Sequence, residues 1–118
     1  MKYVCLVYGE EQKLQEMTSS EMATLDRDSL AYDRSLEQSG HLIVAQALQT
    51  VKKSKSLRRR GGKVMVTDGP FAETKEQLLG FVMIEARDFD EAVEIGGKIP
   101  LAELGTIEVR AIYDVPES

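Results

Sequence analysis

The sequence is short of several residue types that mark particular protein classes. Cys5 is the only cysteine, so the chain can form no intramolecular disulfide and no cysteine-based zinc site, which fits a reducing compartment. No run approaches the roughly 20 apolar residues of a membrane-spanning helix. The apolar run at residues 3–8 is too short for a signal peptide. We therefore expect a cytoplasmic protein with no membrane partner.

The overall composition is that of an ordinary globular protein. The chain has 118 residues, of which 42% are hydrophobic and 30% are charged, which predicts one folded domain over residues 1–118. Its net charge of −5 disfavours binding to nucleic acid and to anionic membranes. No glycine-rich phosphate loop is present, so we expect no nucleotide cofactor. One histidine and one cysteine also argue against a metal site.

Local sequence signals predict the order β-α-β-hairpin-β-α-β. Strands are expected at residues 3–8, 41–48, 80–85 and 106–113, and a β-hairpin is inserted at about 51–67, with Gly61 and Gly62 suited to its tight turn. Capping-box patterns at 18–21 and 88–91 predict two helices, the first over 19–39. The residues expected to face inward are Met22, Leu25, Ser29, Tyr32 and Leu36 in the first helix, and Phe89, Ala92, Val93 and Ile99 in the second.

This order of elements predicts an α+β fold of the ferredoxin-like βαββαβ type. An antiparallel four-stranded sheet carries both helices on one face, and the strands at 3–8 and 80–85 lie in its centre. Both of these strands are apolar on their two alternating faces, as central strands are when both faces are covered. The helices cover one face only, so we expect a homodimer in which a second copy covers the other.

One segment carries a family resemblance. Residues 66–76, VTDGPFAETKE, are similar to the signature of the DGPF family, a branch of the YCII-related proteins. The segments at 2–9, 21–22, 40 and 107–110 also resemble that family, so the likeness covers nearly the whole chain. The resemblance implies a ferredoxin-like dimer, called a dimeric α/β barrel, and an association with extracytoplasmic-function sigma factors. Better-studied relatives carry a His–Asp pair, whereas Ser29 and Gln38 stand at those places here. Neither residue is a general base near neutral pH.

The DGPF segment is the predicted site for a small polar molecule. The topology is expected to bring this segment close to Tyr8 and Glu10, giving a cleft with acids, a cation, a hydroxyl and an aromatic wall. Asp68 or Glu73 is the expected catalytic base for isomerase-like or hydrolase-like proton transfer. The expected ligand-binding residues are Tyr8, Ser29, Gly69, Pro70, Phe71, Thr74 and Lys75. Two plainer readings stay open: Asp68 bonds the next backbone N–H groups in an Asx turn, and Ser29 bonds back to its own helix.

Three other features are read as structural. Cys5 lies in a central strand with no base to activate it, and His41 is expected at the opposite end of the sheet from Asp68. The hairpin carries seven of the fifteen basic residues, Lys52, Lys53, Lys55, Arg58, Arg59, Arg60 and Lys63. A solvated hairpin that discourages edge pairing is the plain interpretation of these charges. The functional alternative is a non-catalytic, dimeric interaction module that engages an acidic partner in sigma-factor regulation.

Overall fold

The computed structural model describes residues 1–117 as six strands and three α-helices. In chain order they are β1 (Lys2–Gly9), α1 (Glu11–Gln15), α2 (Ser19–Gln38), β2 (Leu42–Ala47), β3 (Lys55–Arg60), β4 (Lys63–Asp68), β5 (Gln77–Glu85), α3 (Phe89–Gly97) and β6 (Thr106–Ala111). Two 3-10 helices, Val51–Lys53 and Pro100–Glu103, precede β3 and β6. None of the helices in this part of the chain has the length and apolar character needed to cross a membrane.

The main sheet confirms the predicted ferredoxin-like α+β fold. Its strand order is β2-β5-β1-β6, and all of its neighbouring strands are antiparallel. β1 and β5 are central, as their two-faced apolar sequences predicted. The pairing of β1 with β5 contains a bulge between Val7 and Tyr8 and continues beyond it to Gly9 and Gln77. β5 therefore begins three residues before the predicted start at Gly80.

The core lies between one face of this sheet and the helices. Tyr3, Cys5 and Ile84 are the largest fully buried side chains, and Leu36 of α2 and Ile95 of α3 pack with them. The opposite sheet face carries Val4, Leu6, Phe81 and Met83, which are partly exposed and stand outside this core. The two sheet faces are thus both apolar, but the described helices supply the core on only one.

Helix α2 begins and faces the sheet as predicted. The Thr18 hydroxyl accepts a hydrogen bond from the Glu21 N–H, and the Glu21 carboxylate accepts one from the Thr18 N–H, which completes a capping box. The predicted inward stripe is the least exposed face of the helix, yet Leu36 near its C-terminal end is its only buried member. The other members of the stripe are only partly buried, so this part of α2 packs less closely against the sheet.

Helix α3 presents a different face from the predicted one. Ala92, Ile95 and Ile99 are buried, whereas Phe89 and Val93 are about half exposed, so the prediction that these two face inward was wrong. The helix approaches the sheet along its small residues: a Cβ on Gly96 would lie 2.9 Å from a methyl group of Val109. Phe89 instead packs edge-on against Tyr3 at the border of the core, with ring centroids 5.7 Å apart.

The inserted hairpin is confirmed as a separate two-stranded sheet of β3 and β4. Gly61 and Gly62 form its turn, both with positive φ angles, as a type I′ turn requires. The hairpin was expected to begin at about residue 51, but Val51–Lys53 form a 3-10 turn and the first strand begins at Lys55. Residues 51–71, which contain this hairpin, are called the arm below.

Candidate functional site

A cavity of about 690 Å³ lies between α2 and the sheet. Its floor includes Val7 and Val82, and its sides include Leu25 of α2 and Leu101 of the second 3-10 helix. Of the three β2 residues that line it, Ala45 and Ala47 have small side chains and Gln46 has a longer one. Helix α2 packs closely on the sheet only near its C-terminal end, and the alanines beneath the rest of it are small. The space between them is therefore left open. The volume falls within the range of small-molecule sites, about 300–1,000 Å³.

The polar groups that line this cavity are acidic or uncharged. Asp26, Ser29 and Asp33 follow one another along α2, and α1 adds Glu11 and Gln15. Within the described chain, no Lys, Arg or His side chain lines the cavity. The Glu11 carboxylate is already engaged, because it accepts hydrogen bonds from the Thr50 hydroxyl and from a neighbouring backbone N–H. The electrostatic character of the cavity is therefore negative.

Ser29 and Asp33 are the two partly buried polar side chains of α2 on this wall that have no hydrogen-bond or ion-pair partner in residues 1–117, whereas Asp26 is exposed. They lie four residues apart and so share one helix face. Ser35 and Ser39 donate their hydroxyl hydrogens back to helix carbonyls, but Ser29 makes no such bond in residues 1–117. The half-buried Asp33 has no ion-pair partner in the same residues, and burial alone raises the pKa of its carboxyl group. The helix-bonded reading of Ser29 was thus wrong.

Tyr32, between them in sequence, has a structural role. Its hydroxyl donates a 2.7 Å hydrogen bond to the Ile95 carbonyl oxygen and joins α2 to α3. Burial, with a smaller contribution from Cys5, raises the pKa of this phenol. Tyr32 and the neighbouring Asp33 both line the cavity, so this bond anchors α2 beside Asp33. Sequence reasoning singled out Ser29 but did not consider Asp33, whose i+4 spacing from Ser29 was the available signal.

The first part of the DGPF segment lies at the base of the arm. Asp68 ends β4 with its side chain 87% exposed, and its carboxylate accepts a 2.6 Å hydrogen bond from the Lys55 ammonium group. The Gly69 N–H donates to the Ser54 carbonyl oxygen, and Phe71 is 81% exposed beyond Pro70. Asp68 is thus held by a lysine across the hairpin rather than by the backbone that follows it.

The second part of the segment returns to the main sheet. The Lys75 ammonium group lies 3.8 Å from the Glu10 carboxylate, so these two residues meet as the sequence predicted. The Thr74 hydroxyl donates to the Glu76 carbonyl oxygen, and Glu73 is exposed. Tyr8 belongs to the sheet face opposite Val7. Of the predicted site residues, Ser29 lines the cavity and the others do not.

Cys5 and His41 occupy structural positions. Cys5 is fully buried, and this burial raises the pKa of its thiol to about 11. The His41 ring lies 3.3 Å from the Glu91 carboxylate and 2.7 Å from the Ser39 hydroxyl. His41 precedes β2, whereas the arm follows the other end of that strand. In residues 1–117, no three His, Cys, Asp or Glu side chains are grouped to hold a metal ion.

The fold and the cavity define a ferredoxin-like α+β protein with an acidic, mainly apolar pocket beneath its long helix. Comparison with known families gives a more specific assignment. The family model of the YCII-related domain matches residues 1–116, so the chain belongs to the YCII-related family. It is also 35% identical over 114 residues to an uncharacterised protein of Rhizobium meliloti, a match that covers 95% of this chain and 92% of the relative.

Proposed function

We propose that the protein binds a small, largely apolar molecule in the cavity between α2 and the sheet. The observation that carries this proposal is the pair of free polar groups, Ser29 and Asp33, on the wall of a cavity of about 690 Å³. A ligand site combines an apolar lining with a few polar groups that orient the ligand. The apolar lining supplies affinity through burial, and the hydroxyl and carboxylate supply orientation.

The charge of the cavity limits the class of ligand. Its lining has carboxylates and, in the described residues, no cationic side chain. An anionic ligand would leave its own charge unpaired beside Asp33 at a large desolvation cost. We therefore propose an uncharged ligand or one that carries an amine or another cationic group.

If the protein is an enzyme, proton transfer is the chemistry that this wall supports. Partial burial raises the pKa of Asp33, and a carboxyl group with a raised pKa transfers protons more effectively near neutral pH. Isomerisation and hydrolysis both fit such a group. Asp68 and Glu73 remain predicted bases, with Tyr8, Gly69, Pro70, Phe71, Thr74 and Lys75 as their predicted ligand contacts. Since Asp68 and Phe71 are highly exposed, we propose that this second site requires a partner chain to enclose it.

A thermal-shift screen of neutral, amine-bearing and acidic compounds tests the proposal. Ligand binding to the native state raises the melting temperature by mass action. We expect amine-bearing or neutral compounds to stabilise the wild type and Asp28→Asn, an exposed control on the same helix, but not Asp33→Asn. Asp68→Ala, screened in parallel, distinguishes the two sites. Stabilisation of Asp33→Asn but not of Asp68→Ala would move the site to the DGPF segment, and stabilisation by acids alone would refute the proposed ligand class.

A homodimer is the second proposal, and the open face of the main sheet favours it. Val4, Leu6, Phe81 and Met83 form an apolar surface without a helix layer in the described chain. A second copy that packs sheet to sheet would cover this face and build the dimeric α/β barrel. Such a dimer also suits a non-catalytic interaction module, for which a role in sigma-factor regulation remains a prediction. Light scattering at micromolar concentration tests the dimer, and a monomeric mass would refute it.

A further inference from the structure

The arm projects from the body of the protein. β3 and β4 pair with each other and with no other strand of the described chain. The radius of gyration is 16.4 Å, against about 13.5 Å for a compact chain of this length. An isolated two-stranded hairpin is at best marginally stable in water, so the arm needs a surface to pack on.

One face of the arm is apolar and exposed. The register places Leu57 opposite Val66 and Arg59 opposite Val64, so all four side chains lie on the same face. Leu57 is 65%, Val64 50% and Val66 56% exposed. We call these three residues the apolar stripe. The other face carries Met65 opposite Arg58, together with paired polar and basic residues nearer the two ends. The arm is therefore amphipathic, and its apolar stripe has no cover in the described chain.

The charge of the arm is opposite to that of the rest of the molecule. The arm holds seven Lys and Arg residues and one Asp, a net charge of +6. Because the whole chain carries −5, the remaining residues carry −11. Complementary charge steers association and fixes the orientation of the partners.

We propose that each arm lies on a second copy of this chain, which covers the apolar stripe and meets the basic side chains with acidic surface. This inference extends the homodimer proposed above. A second copy offers the acidic surface that the basic arm requires, because the residues outside the arm carry a net charge of −11. Nucleic acid fits less well, because β3 and β4 carry no aromatic side chain to stack on bases and the rest of the chain repels a polyanion.

Sedimentation equilibrium of the wild type and two arm variants tests this inference. Val64→Thr/Val66→Thr keeps the β-branched shape of both residues and removes the apolarity of the stripe. Met65→Thr is the matched control on the other face. Because a two-fold symmetric dimer contains two arms, each substitution in the arm changes the interface at two places. We therefore expect the stripe variant to raise the dimer dissociation constant at least 100-fold and the control to change it less than 10-fold, with unchanged far-ultraviolet circular dichroism.

Each outcome has a distinct meaning. A monomeric wild type would refute the homodimer and the arm inference together. A dimeric wild type with an unchanged stripe variant would refute the arm inference alone, because sheet-to-sheet packing would then suffice. Equal losses in the stripe variant and the Met65→Thr control would also refute it. A polyanion that binds the wild type and competes with dimer formation would assign the arm to that polyanion instead.

Discussion

Ser29→Leu is the most direct test that the cavity is real space. Ser29 interrupts the stripe of Met22, Leu25, Tyr32 and Leu36 on α2 and lines the cavity without a protein hydrogen bond in the described residues. Leucine at this position completes the stripe and extends into the cavity. It therefore adds apolar burial without breaking any bond that the structure contains.

The expected gain follows from the exposure of the site. Complete burial of a leucine side chain contributes about 1.5–3 kcal/mol. The cavity is open on one side and Ser29 is only partly buried, so about half of this, roughly 1 kcal/mol, is available. For a chain of this size we expect the melting temperature to rise by about 4 °C. The same side chain occupies the ligand space, so any ligand found in the screen should no longer bind.

Thermal unfolding followed by circular dichroism measures the effect, with Ser35→Leu as the control. Ser35 lies on the exposed side of α2, so the control reproduces the gain in helix propensity without the burial. Ser35→Leu also loses the hydroxyl bond to the Tyr32 carbonyl oxygen, and Ser35→Ala, which loses the same bond, measures that cost. A Ser29→Leu variant that is less stable than wild type, or no more stable than Ser35→Leu, would show that the space is already filled. The proposed binding site would then have to be abandoned.

Three further predictions concern a backbone contact and two ionisable groups. Gly105→Ala would place a Cβ against the Tyr8 carbonyl oxygen, and chemical denaturation should show that the free energy of unfolding falls by about 3 kcal/mol. Gly97→Ala, with free space around its Cβ, should raise the free energy of unfolding by about 0.5–1 kcal/mol. Equal effects of the two variants would contradict this packing. Because burial raises the pKa of Asp33 above the ordinary range of an aspartate, ionisation of this side chain in the native protein is penalised at neutral pH. Asp33→Asn should therefore be more stable than wild type at pH 7, and this advantage should shrink as the pH falls through the raised native pKa into the ordinary range of an aspartate; a pH-independent difference would contradict it. The Cys5 thiol, with its pKa raised to about 11, should react with alkylating reagents at pH 8 only at the rate of global unfolding, and rapid labelling of the folded protein would contradict its burial.

The parts of the fold that sequence predicted are those with local causes. The Thr18–Glu21 capping box, the Gly61–Gly62 turn and the two-faced apolar strands act through neighbours a few residues apart, so their patterns predict the elements directly. The face of α3 depended on a distant contact. Phe89 and Val93 are large apolar residues, so the sequence predicted that they face inward. The helix instead turns Ala92 and Gly96 towards the sheet, where their small size allows a close approach to Val109. Val109 is distant in sequence, so the pattern of α3 alone does not reveal this contact.

The candidate site divides in the same way. The sequence determined that Ser29 lies on the inner face of α2 and that residues 52–63 form a basic hairpin, because helical spacing and turn chemistry are local properties. Only the tertiary structure decided that α2 stands over small β2 side chains and leaves a cavity, that Asp33 turns towards it, and that the arm projects away from the core. These features depend on distances between segments far apart in the chain, which packing volume and long-range contacts set.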